Sequence, residues 1–141
     1  MNDILLIVHF IGFVLGFAGG IATAITMRAS AGASADGAAA LRRLPPIFAN
    51  VSFAGLVLLW VTGLILIWSA FGGPQNLPGL FWLKIVFVLI LTALAIGQHV
   101  IYGRIKRGAA SAQMVGMLKK LGPASGLSAL LALIVAVFVF H

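Results

Sequence analysis

Two histidines and one lysine are the residues that could carry out acid–base or ligand chemistry inside the hydrophobic segments of this chain. His9, Lys84 and His99 each lie in a long apolar stretch. Imidazole titrates near neutral pH and is a common metal ligand. An ionisable group within such a stretch is a candidate functional residue. The third histidine, His141, is the last residue printed and is assigned no role.

Several kinds of chemistry are excluded by composition. The sequence has no cysteine, so thiolate metal sites, iron–sulfur clusters and cysteine nucleophiles are excluded. Its two acidic residues, Asp3 and Asp36, lie outside the apolar cores, which excludes paired-carboxylate catalysis there. Although the net charge is +7, every basic residue except Lys84 lies between apolar stretches, as a membrane topology signal does. We therefore expect no binding to nucleic acid.

His9 stands at the head of a row of glycines. Gly12, Gly16 and Gly20 follow at four-residue spacing, and at ~100° per residue Gly16 and Gly20 lie close to the direction of His9. One interpretation is helix packing, since small residues let two backbones approach closely. The other is that a flat macrocycle or a quinone ring lies along the glycines, with His9 as its metal ligand or hydrogen-bond donor.

Lys84 and His99 lie near opposite ends of one apolar stretch. Lys84 is at nearly the depth of His9, where it could extend to the membrane surface or pair with an anionic ligand such as a porphyrin propionate. His99 is near the other end, followed by Arg104, and could also simply bond a backbone carbonyl. At ~1.5 Å per residue the depths of His9 and His99 differ by roughly 15 Å. One haem held between both histidines is therefore not expected, and His9 would need another partner or leave iron five-coordinate.

The elements that position these residues are apolar helices. The chain has 141 residues, 62% of them hydrophobic and 8% charged, whereas soluble domains carry about 25% charged residues. Its apolar stretches are each close in length to the ~20 residues needed to cross a bilayer. They are Ile4–Met27, Phe48–Ala70, Gly79–Tyr102 and Gly122–Phe140. Because lipid offers the backbone no hydrogen-bond partners, we predict an all-α protein: a single transmembrane domain over 1–141, folded as an up-down four-helix bundle. The first stretch lacks a basic leader and is too long for a signal peptide.

The connections predict the orientation of the bundle. Basic residues occur in the first and third connections: Arg28, Arg42, Arg43, Arg104, Lys106, Arg107, Lys119 and Lys120. By the positive-inside rule these two loops are cytoplasmic and both termini are outside, on the periplasmic side of a bacterial inner membrane. Trp68 and Trp82 flank the uncharged second connection, where an interfacial aromatic belt would lie.

Proline and glycine predict where the helices begin and turn. Pro45 and Pro46 can open the second helix, and Pro123 the fourth, because the first helical turn needs no backbone donors. Residues 31–37 are small and predict a flexible segment, whereas residues 72–78 predict a tight turn.

The motifs resemble those of the HemJ-type protoporphyrinogen oxidases and of related small four-helix membrane proteins, including CopD-like domains. The similarity is spread over most of the chain. The matching segments are His9 with Phe17-Ala18-Gly19, Leu41-Arg42-Arg43-Leu44, Trp60-Val61-Thr62-Gly63-Leu64, Trp82-Leu83-Lys84, and His99 with Tyr102-Gly103-Arg104. Two segments depart from the family pattern: Gly16 replaces a tryptophan, and residues 21–25 replace a Leu-Pro-Arg-Leu-Phe segment.

The resemblance implies a b-type haem or porphyrin bound in the bundle, often in a homo-oligomer. It also implies oxidation of protoporphyrinogen IX to protoporphyrin IX, with quinone as the electron acceptor. The family's functional positions correspond to His9, Lys84, His99 and Arg104 in this sequence.

Other functions remain open at this point. The chain could be a non-catalytic small subunit or assembly factor of a larger respiratory complex, because its glycine face suits helix packing without a cofactor. Copper handling in the CopD style would use His9 with methionines, but Met27, Met114 and Met117 lie toward the other side. A channel is less favoured, because the apolar cores hold no acidic residue to coordinate ions.

Overall fold

The computed structural model describes residues 2–109 and 111–140, and within these ranges the chain is almost entirely helical. The elements are α1 (Asn2–Ala31), α2 (Ala35–Leu41), α3 (Pro45–Phe71), a 3-10 turn (Pro74–Asn76), α4 (Gly79–Lys106) and α5 (Ala112–Phe140). Four of the described helices, α1, α3, α4 and α5, are long and apolar enough to cross a membrane, which confirms the all-helical, membrane-type prediction. His141 lies outside the described residues.

The outer surfaces of these helices are suited to lipid. Between 6% and 22% of each candidate span is buried within the protein, and large side chains such as Val14, Trp68 and Leu127 are exposed. Soluble proteins rarely expose an apolar surface of this extent to water. The chain is therefore built to lie in a bilayer, with its interior limited to the contacts between helices.

Helices α1 and α3 pack closely because glycines face each other across their interface. A Cβ atom added to Gly55 would lie 2.6 Å from the Gly12 carbonyl oxygen, and one added to Gly12 would lie 3.0 Å from the Gly55 oxygen. Farther along, the Ser52 hydroxyl donates to the Gly16 carbonyl at 2.8 Å. Gly19 lies against Phe48 and Ser52. The contacts advance along α1 as they recede along α3, so the two helices are antiparallel.

Helix α4 packs mainly on α5, and fewer contacts join this pair to the α1–α3 pair. Gln98 of α4 donates to Ser125 of α5 at 3.0 Å. Between the pairs, Trp60 of α3 donates through Nε1 to the Thr92 hydroxyl of α4 at 2.9 Å. The looser contact between the pairs leaves space for a cavity.

The helix ends differ from the sequence prediction in two connections. The segment expected to be flexible, residues 31–37, leads into the short helix α2, which begins at Ala35. The first turn of α2 is capped by the Ser34 hydroxyl, which accepts from the Gly37 backbone N–H at 3.4 Å. Helix α5 begins at Ala112 rather than at Pro123, which lies inside it. Residues 112–121 are mostly good helix formers, so the helix runs through the proline despite the hydrogen bond lost there.

Proline and glycine act as predicted at the other connections. Helix α3 begins at Pro45. It ends at Phe71 and is capped by Gly72, which has a left-handed φ of 70°, and Gly73 has a φ of 124°. These conformations favour glycine and turn the chain through the short 3-10 segment into α4.

Candidate functional site

A cavity of about 380 Å³ lies between the α1–α3 pair and the α4–α5 pair. Its wall is apolar and largely aromatic or aliphatic, with Phe10 and Phe13 from α1, Trp60 from α3, and Phe81 from α4. Alanines of α5, Ala129 and Ala132 among them, also line the cavity and leave space in it because their side chains are short.

His9 and Lys84 are both on the wall of this cavity, although they belong to different helix pairs. Both side chains are half-buried. The structure therefore brings together the two residues that the sequence placed at similar depth. Lys84 faces the interior of the bundle, which the sequence left undecided.

Lys84 is held over an aromatic ring as well as on the cavity wall. Its Nζ lies 5.5 Å from the centre of the Phe81 ring, one turn earlier on α4, and Phe81 is itself buried. This is a cation–π distance, and such contacts are stronger where water is excluded. Among the lining residues that the structure describes, Lys84 is the only lysine, arginine, aspartate or glutamate.

His9 is held by α3 through two adjacent residues. Its Nδ1 lies 2.7 Å from the Thr62 hydroxyl oxygen. Its Cε1 would be 3.3 Å from a Cβ added to Gly63, so the ring packs directly on the α3 backbone. Thr62 is 3% exposed and also donates to the Leu58 carbonyl at 2.6 Å. These contacts fix the position of the imidazole at the cavity wall.

Thr62, Gly63 and Trp60 are site residues that the sequence analysis did not assign. Thr62 and Gly63 belong to the segment that carries the family resemblance, but α3 is apolar on all sides and its sequence does not show which face meets α1. The feature of the sequence that could have pointed to them is a polar side chain, Thr62, directly before a glycine in an apolar helix. Only the packing of α1 on α3 shows that both contact His9.

The glycine groove of α1 is filled by α3. Gly12 and Gly16 face the α3 backbone, with a Cβ on Gly16 lying 3.8 Å from the Ser52 carbonyl oxygen. These are the contacts of the helix-packing interpretation, and they leave no room for a flat ring there. Gly20 has no atom within 4 Å of an added Cβ and does not line the cavity. The three glycines expected to bind a cofactor therefore lie outside the cavity.

His99 and Arg104 also lie outside the cavity. The His99 ring stacks on Phe53 of α3, with centroids 5.2 Å apart and planes inclined by 26°, and the side chain is exposed at the protein surface. Along α4 it is about four turns, or ~22 Å, from Lys84. Arg104 is exposed farther toward the end of α4. The structure does not bring these two residues together with His9 and Lys84.

The arrangement combines an apolar, partly aromatic cavity with two ionisable side chains. His9 supplies an imidazole as ligand or proton acceptor, and Lys84 supplies an ammonium group. Within the described residues there is no group of three or more His, Cys, Asp or Glu side chains that could hold a bare metal ion.

Comparison with family models, with curated proteins and with solved structures finds no match to this chain.

Proposed function

We propose that this chain is a membrane protein that binds a haem or porphyrin in the cavity between its helix pairs. The observation that carries the proposal is the convergence of His9 and Lys84, from different helix pairs, on one apolar cavity lined by aromatic rings. A porphyrin has a flat apolar body and carboxylate groups at its edge. The cavity offers rings for the body and a cation for a carboxylate.

The donor set fits a haem with a single histidine ligand. His9 is the imidazole on the cavity wall, Lys84 would hold a propionate, and the structure places His99 elsewhere. A haem, when bound, supplies one-electron redox chemistry. The surroundings of His9 and Lys84 on this chain then serve to orient the group and to keep water away from it.

The family resemblance extends the proposal to a reaction. The chain would oxidise protoporphyrinogen IX to protoporphyrin IX, a loss of six electrons and six protons that reduces three quinones to three quinols in the membrane. In this proposal His9 accepts protons or acts as the ligand, and Lys84 binds a carboxylate of the substrate or cofactor. His99 and Arg104 are not included, because they lie outside the cavity.

The proposal includes an orientation in a bacterial inner membrane. The connections that carry the basic residues lie together at the end of the bundle where Tyr102 of α4 donates to the Met27 sulfur of α1 at 3.8 Å. By the positive-inside rule this end is cytoplasmic. The cavity with His9 and Lys84 then lies toward the outer leaflet, and both termini are periplasmic.

Titration of the purified protein with haem and with metal-free protoporphyrin IX tests the proposal. Soret absorption should report binding of both, because both carry the flat body and the carboxylates. His9→Ala should weaken haem binding more than protoporphyrin binding, whereas Lys84→Gln should weaken both. His99→Ala is the control and should bind as the wild type does. Loss of haem binding in His99→Ala, with His9→Ala unaffected, would overturn the assignment.

A second candidate is a non-catalytic small subunit or assembly factor of a respiratory complex. The observation that favours it lies on α5, where a Cβ added to Gly116, Gly122 or Gly126 would meet no atom within 4 Å. Another helix could approach the backbone there. A colourless protein that takes up no porphyrin and co-purifies with other membrane subunits would favour this function, as would loss of that association in Gly126→Leu.

A further inference from the structure

The Thr62 hydroxyl has one hydrogen atom, but its oxygen makes two short polar contacts. Its oxygen lies 2.6 Å from the Leu58 carbonyl oxygen and 2.7 Å from His9 Nδ1. The Leu59 carbonyl oxygen is a more distant acceptor, 3.4 Å from it. Two oxygen atoms at such a distance require a hydrogen between them, and the carbonyl has none to give. The Thr62 hydrogen therefore points to Leu58, in the back-bond to the residue four positions earlier that threonine commonly makes in helices.

The contact with His9 must then be donated by the histidine. With its hydrogen committed to Leu58, the Thr62 oxygen can only accept, so Nδ1 carries a hydrogen. Because Thr62 is 3% exposed, bulk water does not compete for this bond. The chain of bonds runs from the His9 N–H to the Thr62 O–H to the Leu58 carbonyl, and each bond polarises the next.

We propose that Thr62 is a positioning residue that holds neutral His9 in the Nδ1–H tautomer and leaves Nε2 unprotonated as the nitrogen available to a ligand. The use of Nε2 by a ligand rests on the proposed function, whereas the tautomer follows from the contacts alone. A free histidine side chain in water favours the opposite tautomer, with hydrogen on Nε2. The Thr62 hydroxyl therefore changes which nitrogen is free of hydrogen and can ligate a metal or accept a proton.

Gly63 completes this arrangement. The backbone at Gly63 supports the ring at Cε1, where an added Cβ would be 3.3 Å away. The ring is therefore fixed at two points on α3, through the Thr62 oxygen and the Gly63 backbone. An unprotonated Nε2 at a fixed position can ligate a metal or accept a proton, and the group bound to the opposite nitrogen commonly sets both properties.

Nitrogen NMR of the ligand-free protein, labelled with ¹⁵N-histidine and held at a pH where the ring is neutral, tests the tautomer. The His9 signals are identified by their loss in His9→Ala. We expect Nδ1 to resonate as a protonated nitrogen and Nε2 as an unprotonated one, both in the wild type and in Thr62→Ser. Thr62→Val keeps the shape but removes the hydroxyl, and it should shift the His9 signals toward those of free imidazole.

Thr92→Val is the matched control. Thr92 makes the same back-bond, to the Val88 carbonyl at 2.7 Å, and accepts from Trp60 instead of a histidine. It should therefore leave the His9 signals unchanged. A wild-type spectrum with Nε2 protonated would overturn the inference, as would a Thr62→Val spectrum identical to the wild type. Since no ligand is present, this result is independent of whether the protein binds porphyrin.

The consequence for binding is measured separately. If the proposed function holds, Thr62→Val should weaken haem binding by about 10- to 100-fold, the usual effect of removing a group that orients a ligating histidine. Thr62→Ser should restore most of the affinity, because it restores the hydroxyl. Equal affinities in Thr62→Val and Thr62→Ser would contradict a positioning role for the hydroxyl.

Discussion

At the scale of single residues, the rarity of polar groups in the apolar segments made the site partly predictable. His9 and Lys84 stand out in the sequence because ionisable side chains at membrane depth are costly and mark candidate functional sites. The structure places them on one cavity, with Lys84 over the Phe81 ring. His99 met the same criterion in the sequence, yet it stacks on Phe53 at the protein surface. The rarity of ionisable side chains in the apolar segments identifies candidate site residues, and the packing of the helices determines which of these residues lie close together.

The glycines show a different limit of the sequence. A four-residue spacing predicts a smooth helix face, but it does not say whether another helix or a flat ligand covers that face. In this fold α3 covers Gly12 and Gly16, and the ring-bearing residue His9 is supported by Gly63 of α3 instead. The cavity thus lies beside the glycine interface rather than in it.

Substituting glycines distinguishes the cavity from the groove. Gly63→Ala should push the His9 ring away from its position, because the added Cβ would be 3.3 Å from Cε1. We expect haem affinity to fall about tenfold, in line with the effect of disturbing the support of a ligand. Gly20→Ala adds a methyl group where nothing lies within 4 Å and should leave the affinity unchanged. Haem titration of both variants checks this, and the reverse pattern would place the ligand along α1.

At the scale of elements, the helices were predicted well and their ends less well. Apolar length identified α1, α3, α4 and α5, and Pro45 marked the start of α3 correctly. The predicted helix start at Pro123 was wrong, because α5 begins at Ala112 and contains this proline in its interior. A proline lacks a donor wherever it stands, so it is compatible with a helix start and also with a helix that gives up one hydrogen bond.

The close approach of α1 and α3 is the element contact most open to test. Gly55→Ala would place a Cβ 2.6 Å from the Gly12 carbonyl oxygen, so the helices must separate. We expect a loss of about 1–3 kcal/mol in the free energy of unfolding, typical of overpacking. Gly116→Ala, on the open side of α5, should be neutral or stabilising by up to ~1 kcal/mol. Unfolding in mixed detergent micelles measures both, and equal stabilities would contradict the packing.

The contact between the helix pairs can be tested in the same way. Trp60 donates to Thr92 across the boundary of the cavity at 2.9 Å. Trp60→Phe keeps an aromatic ring but removes the donor, and we expect it to cost about 1 kcal/mol, the usual net value of such a bond. Thr92→Val removes the acceptor. If the bond joins the pairs, the double variant should cost less than the sum of the single ones, and strict additivity in unfolding measurements would contradict it.

At the scale of the whole molecule, the distribution of charge carries the orientation. The basic residues between the spans are all exposed and lie at one end of the bundle, whereas the connection between α3 and α4 has no charge. The positive-inside rule would explain this separation, if the basic connections lie on the cytoplasmic side of a bilayer, as we propose.

Cysteine labelling can test this orientation cleanly, because the sequence contains no cysteine of its own. Ala33→Cys lies before α2 in the first basic connection, and Gln75→Cys lies in the uncharged connection after α3; both positions are exposed. We expect a membrane-impermeant maleimide to label Gln75→Cys in intact cells whose outer membrane has been opened. Ala33→Cys should be labelled only after the inner membrane is permeabilised. The opposite pattern would invert the bundle and place the cavity toward the cytoplasm.

The central claim is that the cavity between the helix pairs binds a haem or porphyrin through His9 and Lys84. The most direct measurement is the visible absorption spectrum of the purified protein, oxidised and then reduced with dithionite, for the wild type, His9→Ala and His99→Ala. We expect a Soret band and sharpened α and β bands on reduction in the wild type and in His99→Ala, and loss of these bands in His9→Ala. A colourless wild-type protein that also fails to take up added haem or protoporphyrin IX would contradict the claim.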